Sequence, residues 1–106
     1  MSMTKDKVAL VTGSSKRVGR QLIIDLSIAG YEVWIHYNTS QREAHVLRDS
    51  LNKNGSTAHC VSGDIRKKED VQNMIQCIQK VSGRLDVLIN NIGEYKCAPL
   101  LEYPVS

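Results

Sequence analysis

The sequence predicts an α/β fold in which helices cover both faces of a parallel β-sheet. Four short apolar runs recur along the 106 residues, as expected for strands that are buried on both faces. Helical periods separate these runs, and glycines or other turn residues stand at most junctions. Because strands that alternate with helices pair in parallel through right-handed crossovers, this order predicts one parallel sheet.

The first strand and helix cover residues 7 to about 29. The apolar run Lys7–Thr12 predicts the strand, and the helix is predicted from Arg17 to about Ala29, where Gly30 ends it. One face of this helix is predicted to be apolar, with residues at spacings of four, four and three: Val18, Leu22, Leu26 and Ala29.

The second unit begins with the strand Glu32–Tyr37, in which Trp34 is expected to lie in the core. Ser40 and Glu43 have the spacing of a capping box, which predicts the start of the second helix. The residues NKNG at 52–55 end that helix. Its predicted apolar face consists of Ala44, Leu47 and Leu51.

The third unit contains the strand Thr57–Ser62 and the clearest helical period in the chain. Gly83 ends this helix, and Leu85–Asn90 is predicted to be the fourth strand. After Gly93 the periodic pattern fades. The residues predicted to share the apolar face of the third helix are Val71, Met74, Ile75, Ile78 and Val81.

These elements predict an incomplete Rossmann-type, doubly wound sheet within a single domain, residues 1–106. If the strands are arranged as in the dinucleotide-binding fold, their order is 3-2-1-4. The carboxyl ends of strands 1 and 4 then flank the switch point, where ligands bind in open α/β sheets. The segments TGSSKRVG, Thr12–Gly19, and NNIG, Asn90–Gly93, are therefore expected to open into the same crevice.

The glycine-containing turn between the first strand and helix predicts a phosphate site. A helix N-terminus presents unpaired N–H groups and partial positive charge, and glycines allow a ligand to approach closely. Ser14 and Ser15 are candidates to cap the helix or to donate to phosphate oxygens. The cofactor-binding residues predicted from this turn are Gly13, Ser15, Lys16, Arg17, Val18 and Gly19.

Charge around the turn favours NADP(H) over NAD(H). A carboxylate that accepts from the ribose 2′-hydroxyl of NAD usually stands about 20 residues further on. Here the end of the second strand carries no carboxylate, whereas Lys16 and Arg17 would attract a 2′-phosphate. The candidate residues around that phosphate at the end of the second strand are His36, Asn38, Thr39 and Ser40.

Composition excludes several other classes. A net charge of +3 without a long basic run argues against nucleic acid as a partner. No apolar stretch approaches the roughly 18 residues of a membrane span. Cys60, Cys77 and Cys97 are too widely spaced for a metal site or a redox pair, so we expect reduced thiols, no bound metal and a cytoplasmic protein.

With these motifs the chain resembles the short-chain dehydrogenase/reductase family. The cofactor turn of that family reads T-G-x-x-x-G-x-G; Thr12, Gly13 and Gly19 match it, and Arg17 replaces the middle glycine. The resemblance implies that the GDI segment after the third strand contacts adenine through Asp64 and that NNIG corresponds to the family motif N-N-A-G. The cofactor-binding residues implied in these two segments are Asp64, Ile65, Asn91 and Gly93.

Within the family, the Lys-Arg pair in the turn and the His-Tyr pair after the second strand look most like pteridine reductases. That likeness implies a substrate-binding role for Tyr95, which falls where an aromatic ring stacks on the pterin. Thr39 stands where those relatives usually have a second arginine. The N-N-x-G form also occurs in 3-oxoacyl-(acyl-carrier-protein) reductases, which are an alternative.

The resemblance implies an NADPH-dependent reductase acting on a small carbonyl or pterin-type substrate. Family chemistry uses a Ser and a Tyr-x-x-x-Lys pair, and no tyrosine of this sequence is followed by a lysine four positions later. We therefore assign no catalytic residue here and expect this to be the cofactor-binding half of a longer protein, which would be a homo-oligomer. The alternatives are a non-catalytic NADP(H)-binding module and, less in keeping with the motifs, a basic nucleic-acid binder.

Overall fold

The computed structural model describes residues 7–91, which form a four-stranded sheet with three helices. The sheet is parallel throughout and has the order β3-β2-β1-β4, so the predicted fold class and strand order are confirmed. In chain order the elements are β1 (Val8–Thr12), α1 (Arg17–Ile28), β2 (Glu32–Tyr37), α2 (Gln41–Lys53), β3 (Ala58–Ser62), α3 (Lys68–Ser82) and β4 (Val87–Asn90).

The strand register aligns the carboxyl ends of all four strands along one edge of the sheet. Thr12 at the end of β1 pairs with Asn90 at the end of β4, and Tyr37 at the end of β2 pairs with Ser62 at the end of β3. The segments that leave β1 and β4 therefore start side by side, because these two strands are paired neighbours in the sheet.

Helices α1 and α2 cover one face of the sheet. Ile23 of α1 and Leu47 of α2 are almost fully buried against the strands. The predicted apolar face of α2 is confirmed. The buried residues of this layer are Val11, Ile23, Val33, Ile35, Ala44, Leu47, Leu51 and Ala58.

Helix α3 covers the opposite face. Trp34 is buried in this layer, as predicted; its indole N–H donates to Ser82 Oγ at 2.9 Å and its ring stacks on His59 at 4.5 Å between centroids. The buried residues of the layer are Val8, Leu10, Trp34, Val61, Met74 and Ile78. Helices on both faces make the sheet doubly wound. No helix among residues 7–91 is both long and apolar enough to cross a lipid bilayer.

The predicted apolar face of α1 is wrong by one position. The residues of α1 that are buried are Gly19, Ile23 and Ser27, whereas Val18 is 66% exposed. Leu22 and Leu26 lie half-buried at the border of this face. Apolar periodicity did not identify the face because two of its three central residues are a glycine and a serine.

Two smaller predictions also need correction. Ser40 precedes α2, but its side chain makes no capping hydrogen bond, so the Ser40–Glu43 capping box does not form. Val81, predicted on the buried face of α3, is 59% exposed; in this last turn Ser82, the next residue, contacts β2 through its bond with Trp34.

Truncation of Ile78 should test how strongly the α3 layer stabilises the fold. Ile78 is fully buried, so Ile78→Ala should lower the free energy of unfolding by about 2–5 kcal/mol, measured by urea denaturation. The matched control is Val81→Ala on the same helix, which should change it by less than about 0.5 kcal/mol because that side chain is exposed. Equal losses in the two variants would contradict this packing.

Candidate functional site

The β1–α1 turn, residues 13–16, brings the start of α1 onto the end of β1. Gly13 has a φ of +64°, in the left-handed region that favours glycine. A Cβ on Gly19, in the first turn of α1, would lie 2.5 Å from the Gly13 carbonyl oxygen and 2.8 Å from the Ser14 Cα. Glycine at position 19 is therefore required by a backbone contact that leaves no room for a side chain.

The end of β4 closes the other side of this contact. The Thr12 hydroxyl donates to Asn90 Oδ1 at 2.7 Å and accepts from the Asn91 N–H at 2.9 Å. The Asn91 side-chain amide donates to the Gly13 carbonyl at 3.3 Å and lies 2.6 Å from where a Gly19 Cβ would be. The structure thus brings together Gly13, Gly19 and Asn91, as the motifs predicted.

The N-terminus of α1 is open to an anion. Lys16 precedes the helix with extended backbone and makes no side-chain capping bond, and the first turn contains no acidic residue. The first N–H groups of a helix have no partner within the helix and carry partial positive charge. This end of α1 can therefore accept an anionic group through its backbone.

The two serines of the turn have different roles. Ser14 is fully buried; its N–H donates to the His36 carbonyl at 3.1 Å, and its hydroxyl accepts from the His36 N–H at 2.9 Å. Both bonds extend the pairing of β1 and β2 beyond the strand end, so Ser14 neither caps α1 nor faces a ligand, contrary to expectation. Ser15 lines the cleft described next.

A basic cleft opens between the start of α1 and the first turns of α2. It has a volume of about 490 Å³ and is open to solvent on one side. Four of its residues are cationic and one, Glu43, is acidic. The residues that line the cleft are Ser15, Lys16, Arg17, Arg20, Arg42, Glu43, Val46 and Leu47.

Arg20 and Arg42 were missed by the sequence reasoning. Each lies on a predicted helix, and helical spacing was the available signal, since Arg20 follows Arg17 by three positions and therefore shares its face. Arg42 enters the cleft from the start of α2, and only the tertiary packing of the two helices reveals it.

The other predicted site residues that the structure describes do not line this cleft. Asn38 and Thr39, after β2, are exposed, and Ser40 is half-buried. The Val18 side chain is largely exposed, so only its backbone belongs to the helix N-terminus. Gly93 and Tyr95 lie outside the described residues.

Arg17 adopts a backbone conformation that is unusual for its residue type. Its φ is +55°, and it is the one non-glycine residue with a positive φ in the described chain, 7–91. The left-handed region costs a residue with a Cβ about 1–2 kcal/mol. This is the position where the motif of the resembling family has its middle glycine, so the arginine takes up the conformation of the residue it replaces.

His36 is buried and serves the protein rather than facing a ligand. The residue is 3% exposed; Nδ1 accepts from the Gly13 N–H at 2.8 Å, and Nε2 is 2.7 Å from the Gly63 carbonyl oxygen. Burial lowers the pKa of His36, against the Gly63 bond and the Asp64 charge, which raise it. The prediction that His36 contacts a cofactor directly is therefore corrected, because its ring bonds the backbone of two loops instead.

The β3–α3 segment, residues 63–67, is held by charged groups. Arg66 donates from its backbone N–H and Nε to Asp64 Oδ1 and from a terminal nitrogen to Oδ2, at 2.9–3.0 Å. These bonds lower the pKa of Asp64 to about 2. The Asp64 N–H in turn donates to Asp70 Oδ2 at 2.9 Å. Asp64 is therefore ionised and held beside the edge of the sheet.

The Ile65 side chain is half-buried and packs against the α3 layer. It also lines a second cavity, of about 50 Å³, which is too small for a nucleotide. The residues around that cavity are Leu10, Thr12, Ile65, Val71, Met74, Ile75, Leu88 and Asn90. Within residues 7–91 no cluster of three or more His, Cys, Asp or Glu side chains could hold a metal ion.

Comparison with known proteins gives consistent matches. The sequence model of the short chain dehydrogenase family matches residues 7–105. The short-chain dehydrogenase/reductase homolog YusS of Bacillus subtilis is 35% identical over 95 residues, which cover 90% of this chain and 87% of that protein. Tetrahydroxynaphthalene reductase of Pyricularia oryzae is 36% identical over 87 residues, which cover 82% of this chain and 31% of that protein.

Two solved structures share the fold. The crystal structure of gox2181 has a TM-score of 0.75 and 28% identity, covering 82% of this chain and 34% of that one. The structure of FolM alternative dihydrofolate reductase 1 from Brucella suis, in complex with NADP, has a TM-score of 0.72 and 29% identity, covering 78% of this chain and 34% of that one. The chain thus spans about a third of the length of these two proteins and of the Pyricularia reductase.

Substitution of Gly19 should measure the backbone contact at the start of α1. Alanine is intrinsically favoured over glycine within a helix by about 1 kcal/mol. The contact reverses that preference, so Gly19→Ala should destabilise the protein by about 2 kcal/mol in urea unfolding. Gln21→Ala, on the exposed side of the same helix, should stay within about 0.5 kcal/mol. A Gly19→Ala variant as stable as the parent would disprove the contact.

Arg66 should control the ionisation of Asp64. Asp64 is expected to titrate at a pKa of about 2 in a carboxyl-carbon NMR titration. Because the folded value lies below the unfolded value of about 3.9, this pair stabilises the fold above that value, and the effect is lost as the pH falls through the folded pKa. Arg66→Ala should raise the pKa of Asp64 towards the unfolded value, whereas Arg84→Ala, which removes the partner of Asp86, should not.

Proposed function

This chain belongs to the short chain dehydrogenase family, and on that premise we propose that it binds NADP(H) at the carboxyl edge of its sheet. We further propose that this chain is the cofactor-binding part of a reductase that acts on small carbonyl or pterin-type substrates. The relatives named tetrahydroxynaphthalene reductase and alternative dihydrofolate reductase support the two substrate types respectively.

The observation that carries the proposal is the uncapped start of α1 beside the basic cleft. The backbone N–H groups of residues 17–19 suit the pyrophosphate of a dinucleotide, and the missing Cβ of Gly19 keeps the turn compact beneath it. Family members use nicotinamide cofactors, and such a cofactor supplies the hydride when it is bound. The solved relative in complex with NADP supports a phosphorylated cofactor.

The basic cleft supports a preference for the 2′-phosphate. Arg17, Arg20 and Arg42 converge on it, and a guanidinium can donate two parallel bonds to phosphate. Arg42 supplies positive charge three residues after Thr39, the position at which pteridine reductases usually have arginine. Glu43 reduces the net charge of the lining, but the four cations outnumber it.

The strain at Arg17 supports the same conclusion. Glycine would occupy a φ of +55° without the cost that a Cβ brings, and strained residues persist where function needs them. Arg17 is the first residue of α1, so its side chain extends from the N-terminus of the helix. We infer that phosphate binding compensates for the backbone cost at this position.

The adenine end would lie on the β3–α3 segment. Arg66 occupies three of the roughly four lone-pair positions of the Asp64 carboxylate, which leaves one on Oδ2 for an adenine amino group. The backbone of Ile65 is the neighbouring contact. Asn91 and Gly93 would border the nicotinamide end, and Tyr95 would contact the substrate.

Catalysis, assembly and location complete the proposal. A Ser and a Tyr-x-x-x-Lys pair would have to lie outside this sequence, and the whole protein would be a homo-oligomer. A cytoplasmic location is supported by Cys60 and Cys77, which are free thiols in the described part of the chain. A binding module without catalysis is the second candidate, because the features described in residues 7–91 are those of cofactor binding.

Fluorescence titration with NADPH and NADH, followed by an absorbance assay of NADPH consumption, tests the proposal. Saturable binding to this chain that prefers NADPH is the expected result. NADPH consumption by a longer protein that carries the Ser and the Tyr-x-x-x-Lys pair, on a quinone, a dihydropterin or a 3-oxoacyl thioester, would identify the substrate class. Binding without consumption by that longer protein would favour the second candidate, and absence of binding would overturn both.

Charge reversal of Arg17 should separate the two cofactors. Charge-assisted hydrogen bonds contribute about 1.5–3 kcal/mol, so Arg17→Glu should weaken NADPH binding by about ten- to a hundredfold. NADH lacks the 2′-phosphate, and its binding should weaken by less than about threefold. Lys80→Glu, on the last turn of α3, makes the same change in net charge and should affect neither cofactor. Equal losses for NADPH and NADH would contradict the assigned role of Arg17.

A further inference from the structure

The His36 side chain joins two loops that have no strand pairing with each other. Gly13 follows β1 and Gly63 follows β3, and β2 lies between these strands in the sheet. The ring reaches both loops from the end of β2, because Nδ1 is 2.8 Å from the Gly13 nitrogen and Nε2 is 2.7 Å from the Gly63 oxygen. Neighbouring strands lie about 4.8 Å apart, so the ring and its two hydrogen bonds together bridge loops that leave strands two spacings apart.

The partners of the ring determine its protonation. A backbone N–H is only a donor and a carbonyl oxygen only an acceptor, so Nδ1 must be unprotonated and Nε2 must carry the hydrogen. The ring is therefore a neutral imidazole in one tautomer, and no other state satisfies both bonds. Burial, which lowers the pKa of His36, favours this neutral state.

The backbone around His36 holds the ring in place. Its N–H and carbonyl are both bonded to Ser14, and the Gly63 N–H donates to the Tyr37 carbonyl at 3.2 Å. Bonds on both sides of the ring thus fix the backbone from which it projects. The whole residue is 3% exposed, so the ring is enclosed by protein.

We propose that His36 is a positioning residue that sets the separation of the β1–α1 turn and the β3–α3 segment. A dinucleotide has to meet both at once, the first with its phosphates and the second with its adenine. A fixed separation means that little freedom is lost on binding, which is how preorganised sites gain affinity. The ligand in this inference rests on the proposed function, whereas the mechanical link between the loops does not.

The variant His36→Asn separates the two bonds of the ring. The Asn carbonyl oxygen can replace Nδ1 as acceptor for the Gly13 N–H, but its amide is too short to reach Gly63. Loss of the link should accelerate hydrogen exchange at the Gly63 amide by about tenfold, while the Gly13 amide keeps its protection. This readout requires no ligand. Gln76→Asn, at an exposed position of α3, is the control and should change neither amide.

Ligand binding gives the second readout. NADPH affinity should fall by about tenfold in His36→Asn, whereas inorganic pyrophosphate, which needs only the β1–α1 turn, should bind with unchanged affinity. Equal losses for the two ligands, or no loss of NADPH affinity, would overturn the inference. If the parent protein does not bind NADPH, the proposed function fails, and hydrogen exchange alone decides the link between the loops.

The histidine tautomer can be read in the unaltered protein by long-range ¹⁵N–¹H NMR. A neutral ring protonated at Nε2 is the expected state at pH 7. A ring protonated at Nδ1, or a charged one, is incompatible with acceptance from Gly13 and would overturn the inference even if no variant folds.

Discussion

The contact between the first turn of α1 and the turn that precedes it is the constraint on which the rest of this edge depends. Gly19 lies against the Gly13 carbonyl and the Ser14 Cα so closely that no side chain fits. This contact brings the N-terminus of α1 to the switch point between β1 and β4, where Asn91 meets the same glycines. A wider approach would direct the helix N–H groups away from the crevice.

Most polar side chains near this contact are used to build the edge. Thr12, Ser14 and His36 each bond groups on a neighbouring strand or loop. Since these side chains are already satisfied, recognition of a ligand is left to the backbone N–H groups of α1 and to side chains at the rim. The edge therefore combines a rigid, neutral interior with a charged exterior, and binding does not have to break internal hydrogen bonds.

The sequence predicted the strands and the face of α2, because buried apolar side chains repeat at regular spacing in those elements. The strand order was predicted from the dinucleotide-binding fold, in which strands and helices alternate in the same way. It failed for α1, whose buried face is formed around Gly19 and Ser27, residues without an apolar signal. It identified Gly13, Gly19 and Asn91 through motifs, but not Arg42, which reaches the cleft only through the packing of two helices. The role of His36 depends on two backbone groups, and a sequence pattern contains no information about their positions.

Arg17 shows how the two parts of the edge act on each other. Its left-handed φ follows from the path that the turn must take to bring Gly19 against Gly13, so the geometry that suits glycine is imposed on an arginine. The same path places Arg17 at the first residue of α1, where its side chain lines the basic cleft. Arg17 is exposed, so solvent screens its charge from the partial positive charge of the helix, and the backbone conformation is the larger cost. An anion in the basic cleft would offset both costs, which is the physical basis for the phosphate that we propose there.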